Sequence, residues 1–355
     1  MTHARQDVFF SLAYLQDGAV HQLSLFEGIA PAPEPAPPPA APELPAWPEP
    51  SSVLPGQLHL FSDRTVRLAE ARAAIAEARL DDARRVLAAL KKRFPEDPFI
   101  AREAARAATL QKRYAAALDA PAEGRPEALL TFARSLGATE EPWASLRRAV
   151  LCRVAAELDR GPVEAPLVLE GQPPGFYWLE AGAFEEARAS LTRSLARGPS
   201  VRGLFLLGDA SLLLGAGGPA RRHYLEALLL DPFDAALAAV RLEEVRALPA
   251  TARDELEIEE EPAAWSAPVG MVTGVFPLGV GLSLEGLALL EVEQPAGRAV
   301  GAREALGRAR AFARALVEMG TPEGRGRVVE LRRQMKQISP RLFAAYMDRV
   351  VRAQG

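Results

Sequence analysis

Two stretches of this chain close on a proline, Pro199 and Pro232, and both are written in helical spacing. "EAGAFEEARASLTRSLARGPS" places Ala187 and Leu191 ahead of Pro199. "RGLFLLGDASLLLGAGGPARRHYLEALLLDPFD" places Leu207-Gly208, Gly215, Ala220, Tyr224 and Ala227 ahead of Pro232. Apolar residues three and four apart define an amphipathic helix, glycine breaks it, and proline stops the next one. A pattern of helix, break, helix, proline fixes the fold class more tightly than any single residue does. The same pattern occurs earlier, in "DRTVRLAEARAAIAEARLDDARRVLAALKKRFPEDP", with a break expected near Leu80-Asp81 and a stop at Pro95. The spacing predicts an all-α fold of helical hairpins.

Here the residues resemble a known family. The segment ending at Pro232 is similar to a tetratricopeptide repeat, a helix-turn-helix unit of roughly 34 residues. The interval from Pro199 to Pro232 is close to that period. Gly208 stands where that family's two helices cross closely, Ala220 at its second small contact, Tyr224 at the large residue of the second helix and Pro232 at the terminating proline. Ala71, Ala83, Leu87 and Pro95 fit the same pattern over 64–97, without the aromatic positions. The resemblance implies a repeat array over 63–250 whose groove binds peptides, as such arrays do. An irregular helical bundle is the alternative.

Composition narrows the setting. Residues 31–55 hold eleven prolines, which fix φ and remove backbone donors, so neither helix nor sheet is expected there. At about 3.1 Å per residue such a spacer reaches roughly 80 Å. Arginine outnumbers lysine 38 to 4 and alanine is abundant, which points to a GC-rich bacterial coding source and weakens arginine as a sign of nucleic-acid binding. The net charge of −4 on 355 residues names no partner. Cys152 is the only cysteine, which excludes an internal disulfide and a multi-cysteine metal site. The start of the chain has only Arg5 ahead of its apolar run, includes Asp7 and lacks a small-x-small cleavage site, so no secretory signal is expected. Residues 262–284 are free of charge, but Pro268, Pro277 and four glycines interrupt them. A buried segment is expected there rather than a membrane span, and a cytoplasmic location follows.

The chain then divides into an arm (1–30), a Pro/Ala-rich linker (31–56), a short segment (57–62), the hairpin array (63–250), an acidic linker (251–268) and a mostly helical C-terminal region (269–355). Within the last, a helix from about Ala302 to Met319 stops at Gly320, and new helices open at Thr321-Pro322 and Ser339-Pro340, each with a capping hydroxyl before a proline. From 301 to 355 there are twelve basic residues against five acidic ones, which a solvated helical face explains as well as a DNA contact does. Periodicity leaves 269–295 open between a hairpin and a buried helix.

No catalytic constellation stands out. His3, His21, His59 and His223 are scattered without metal spacing. "GVGLSLEG" has Leu284 where a dinucleotide fingerprint needs its third glycine, and "GTPEGRGR" lacks the Lys-Ser/Thr of a phosphate loop. Glu257, Glu259, Glu260 and Glu261 form a charge run and not an acid-base pair. The expectation is a scaffold or adaptor with no catalytic, cofactor or metal residues.

One short motif remains. "QLSLF" at 22–26 and "QLHLF" at 57–61 bracket the proline-rich spacer. Both resemble the Gln-Leu-x-Leu-Phe peptide by which bacterial replication and repair proteins dock on the sliding clamp, the ring that tethers the replicative polymerase to DNA. The resemblance implies that Gln22 and Gln57 hydrogen-bond at the rim of the clamp's pocket and that Leu23 and Leu58 lie against its surface. It implies further that Leu25 with Phe26, and Leu60 with Phe61, fill the pocket. His59 takes the tolerant third position. Three other readings stay open: docking on a different partner, a hairpin about Asp17-Gly18 that packs Leu23 and Leu25, and a second copy that packs on the first hairpin. The last two suit a scaffold of an envelope or secretion assembly.

Overall fold

A computed structural model describes residues 63–137, 140–161, 169–198, 200–277 and 297–354. The fold is all-α. Among the described residues the only β-type pairing is an isolated bridge between Leu169 and Gln172. The chain falls into two compact units. The first contains α1 (Asp63–Ala76) up to Ala74, α2 (Leu80–Arg93) and α3 (Pro98–Leu118) up to Ala108. The second contains Ile75–Ala78 and the chain from Thr109 onward.

In the first unit Leu87 and Leu90 of α2 meet Ala71 of α1 and Ile100 and Ala107 of α3 in one small core. Asp97 caps α3 by accepting from the backbone N–H of Phe99 at 2.9 Å, and it accepts from Arg64 Nε of α1 at 2.9 Å. That contact pins the start of α1 to the α2–α3 turn. α2 ends at Arg93, just ahead of Phe94-Pro95, as the stop signal required.

The second unit stacks successive helices: α4 (Arg125–Ser135), α5 (Trp143–Asp159), α6 (Pro174–Glu180), α7 (Phe184–Leu195), α8 (Val201–Leu213) and α9 (Gly217–Leu230), each packed on the next from α4 onward. The hairpins α6–α7 and α8–α9 repeat each other in register. Gly182 and Gly215 end the first helix of each in the left-handed region, with φ of 80° and 77°. The amides that follow, Ala183 and Ala216, reach back to the carbonyls of Trp178 and Ser211 at 3.0 and 2.9 Å. This is the paired helix-ending turn that glycine favours. The turn between α1 and α2 has the same hydrogen bonds, Arg79 to Ala74 at 2.8 Å and Ala78 to Ile75 at 3.0 Å, but its left-handed residue is Ala78. The break therefore falls at 77–79, slightly ahead of the expected Leu80-Asp81.

Close approach recurs in the same register. A Cβ on Gly208 would lie under 3.0 Å from three ring carbons of Tyr224. A Cβ on Gly175 would clash likewise with Leu191, which holds in α7 the place that Tyr224 holds in α9. Ala187 and Ala220, at matching positions of those two helices, are fully buried.

Beyond α9 the core continues without a boundary. Leu225, Leu228 and Leu229 of α9 share one apolar cluster with α10 (Glu243–Asp254), α11 (Ser266–Thr273), α12 (Val300–Met319), α14 (Val328–Ile338) and α15 (Pro340–Gln354). α13 (Pro322–Arg325) is a single turn. Thr321 and Ser339 cap as their sequence required, accepting from Gly324 at 3.1 Å and Leu342 at 3.3 Å. One apolar core therefore includes residues on both sides of position 250.

The acidic segment 251–268 is largely helical. It contains the end of α10, a 3-10 turn at Pro262–Trp265 and the start of α11, with Ile258, Ala264 and Trp265 buried. Two of its carboxylates pair with distant helices: Glu260 with Arg308 of α12 at 2.7 Å, and Glu257 with Arg341 of α15. Apolar anchors and two ion pairs turn a charge run into a docked connection. The uncharged stretch that follows is buried, since every residue from Ser266 to Val272 is inside. No described helix is long and apolar enough to cross a membrane. Residues 278–296 lie outside the described residues.

Candidate functional site

All eight candidate docking residues lie outside the described residues: Gln22, Leu23, Leu25, Phe26, Gln57, Leu58, Leu60 and Phe61. The candidate features of the body are a groove and three polar junctions, two of them buried.

The groove runs between the C-terminal half of α3 and α4 and encloses about 530 Å³. Ala116, Ala117, Ala128 and Phe132 give it an apolar floor, and Arg113, Glu127 and Thr131 stand around it. Small residues at 116, 117 and 128 keep the two helices from filling the space between them. Tyr114 packs its ring 5.3 Å from Phe132, and burial raises the pKa of its hydroxyl. The groove offers apolar contact and one charge of each sign. It is a shallow, open depression.

The first junction centres on Asp159 at the end of α5. It accepts from Trp178 Nε1 of α6 and Ser190 Oγ of α7, both at 2.8 Å, and Arg193 lies 3.2 Å away. One carboxylate thereby ties three consecutive helices. The second is Asp209, buried inside α8, which accepts from the Tyr224 hydroxyl at 2.7 Å and the Arg241 backbone N–H at 3.0 Å. Burial raises the pKa of Asp209 against the pull of those two donors, and burial together with the Asp209 contact pushes the Tyr224 hydroxyl up as well. The third is Arg310 of α12, only 3% exposed, whose Nε and Nη2 donate to the carbonyls of Leu229 and Leu230 at 2.7 and 2.9 Å. Those carbonyls are the unpaired acceptors at the end of α9, so a charged side chain serves as a helix cap.

Each junction finds its hydrogen-bond partners within the fold, which identifies all three as structural. Among the described residues no group of three or more His, Cys, Asp or Glu is placed to hold a metal ion. Cys152 on α5 is half-buried, and burial and the charge of Glu186 both push its thiol up, away from the reactive thiolate form. The sequence does not single out Asp159, Asp209 or Arg310, because each looks locally like an ordinary solvated charge on a helix.

No protein-family model, no curated protein and no solved structure matches this chain.

Proposed function

We propose that this chain is a non-enzymatic cytoplasmic adaptor, built on tetratricopeptide-like hairpins, that docks on the bacterial sliding clamp through Gln22–Phe26 and Gln57–Phe61. The observation that carries the reading is the recurrence of Gln-Leu-x-Leu-Phe on both sides of a spacer with eleven prolines. A pocket-filling Leu-Phe pair suits a short peptide: burying each side chain contributes roughly 1.5–3 kcal/mol before the cost of ordering the segment. The common register of α6–α7 and α8–α9, with its repeated glycine turns and close crossings, supports the repeat reading of the body.

A fluorescein-labelled peptide spanning residues 20–28 tests the docking step against purified clamp. Binding with a dissociation constant of tens of micromolar or tighter, about 6–7 kcal/mol, is expected, with loss on Leu25→Ala plus Phe26→Ala. Equal binding of the two peptides removes the reading.

A further inference from the structure

The C-terminal block carries a surface that the arm and the hairpins do not explain. α14 buries Leu331 and Met335, which are 1% and 0% exposed, and turns the opposite face outward. On that face Val329, Arg333 and Lys336 are exposed at i, i+4 and i+7, the spacing that lines up side chains along a helix, and Arg332 lies half-buried beside them. Arg325, exposed in the preceding turn, adds a further cation.

Four cations of this stretch have no carboxylate partner among the described residues, whereas several others in the block are engaged. Arg308 and Arg341 are taken by Glu260 and Glu257, and Arg349 donates to the carbonyls of Met271 and Val272 at 2.7 and 2.9 Å. Glu330, the only carboxylate on α14, is committed to Arg327 at 3.2 Å. From Pro322 to Ile338 there are five cations against two carboxylates, Glu323 and Glu330. Arg325, Arg332, Arg333 and Lys336 form no ion pair with any described residue. Arg332 has its Nε buried without an acceptor, a donor the fold leaves unanswered.

We infer that this face of α14 binds the phosphate backbone of double-stranded DNA. Two arginines and a lysine on a packed helix, with Arg325 in the turn before it, match a regular polyanion, and guanidinium groups meet phosphate oxygens in pairs. An acidic protein segment is the competing occupant. The only large apolar anchor on the face is Val329, 77% exposed, and a lone valine is a weak anchor beside the aromatic and arginine side chains that dominate protein interfaces. The inference stands independently of the clamp-docking peptides, and its test contains no clamp.

The full chain is titrated into a fluorescein-labelled duplex of about 20 base pairs and anisotropy is followed at several salt concentrations. With three to four phosphates neutralised, log K should fall against log salt with a slope of roughly −3, a loss of roughly 60-fold between 50 and 200 mM. Arg333→Gln with Lys336→Gln should flatten that slope by about 2 units, while Val329→Ser should bind as the unaltered chain does. Should the double variant lose helical circular dichroism, Arg325→Gln carries the same test with a flattening of about 1 unit. Absence of binding at low salt would overturn the inference, as would a slope that the charge variants leave unchanged. Loss of duplex binding on Val329→Ser alone would overturn it too, because the contact would then rest on the apolar side chain and not on the cations.

Discussion

Gly208 and Tyr224 meet because one has no side chain and the other has a large one. The crossing of α8 and α9 leaves no room for a Cβ at 208, so larger residues there must push the Tyr224 ring or part the helices. Gly208→Leu should lower stability by roughly 1–3 kcal/mol, read as a drop in the urea midpoint at unchanged slope. An unchanged midpoint would mean that the crossing is not as close as described. Asp209 is a second single-residue test, with a definite pH signature. Its folded pKa is raised by burial, so its contribution is fully present below the unfolded value of about 3.8 and is lost as pH rises through the folded value. Asp209→Asn keeps an acceptor for Tyr224 and Arg241 and removes the charge. The difference in stability between variant and wild type should therefore move in the variant's favour from about pH 4 upward. Parallel stability curves across that range would show that Asp209 carries no burial penalty. Asp209→Ala should lower stability at every pH, by roughly 1–3 kcal/mol, because two donors lose their acceptor.

At the scale of elements, the turns show why some of the fold was legible in the sequence. Gly182 and Gly215 are glycines in the left-handed region, and Thr321 and Ser339 are hydroxyls ahead of prolines. These act locally, so the residue itself announces the boundary. Ala78 takes the same left-handed conformation in the α1–α2 turn without announcing it, since alanine is not a residue that favours positive φ. The break was consequently expected at Leu80-Asp81. Ala78→Gly should raise stability by about 1 kcal/mol, by removing the Cβ cost of that conformation. Calorimetric melting checks this, and a lower melting temperature for the glycine variant would contradict the geometry. The acidic run was illegible for a different reason. Glu260 is neutralised by Arg308, 48 residues on, and Glu257 by Arg341, further still. No local window contains the partner, so a docked segment reads as a solvated linker. Arg310 is the same case, since its acceptors, Leu229 and Leu230, lie far upstream in α9.

At the scale of the molecule, α10 to α15 cover the apolar face of α9, which would otherwise be the open end of a helical stack. A stack of hairpins needs such a terminal cover, because each unit buries its apolar surface only against a neighbour. The all-α class was readable from hydrophobic spacing alone. The continuity of the core past 250 was not, because it rests on contacts between distant helices. The candidate docking residues were readable only as a motif. The central claim rests on that motif occurring twice, with the whole segment 27–56 between Phe26 and Gln57. A fully extended spacer of that length, at about 3.1 Å per residue, would reach roughly 95 Å, so the proposal has two peptides of one chain engage two pockets of one ring, the second effectively as an intramolecular event. Calorimetric titration of purified clamp with the full chain measures this directly. The account predicts tight binding by the unaltered chain. Leu25→Ala with Phe26→Ala should reduce it strongly, to the affinity of a single peptide. Leu60→Ala with Phe61→Ala should reduce it less, and all four changes together should abolish it. No heat from the unaltered chain at tens of micromolar, or full binding by the fourfold variant, would contradict the account.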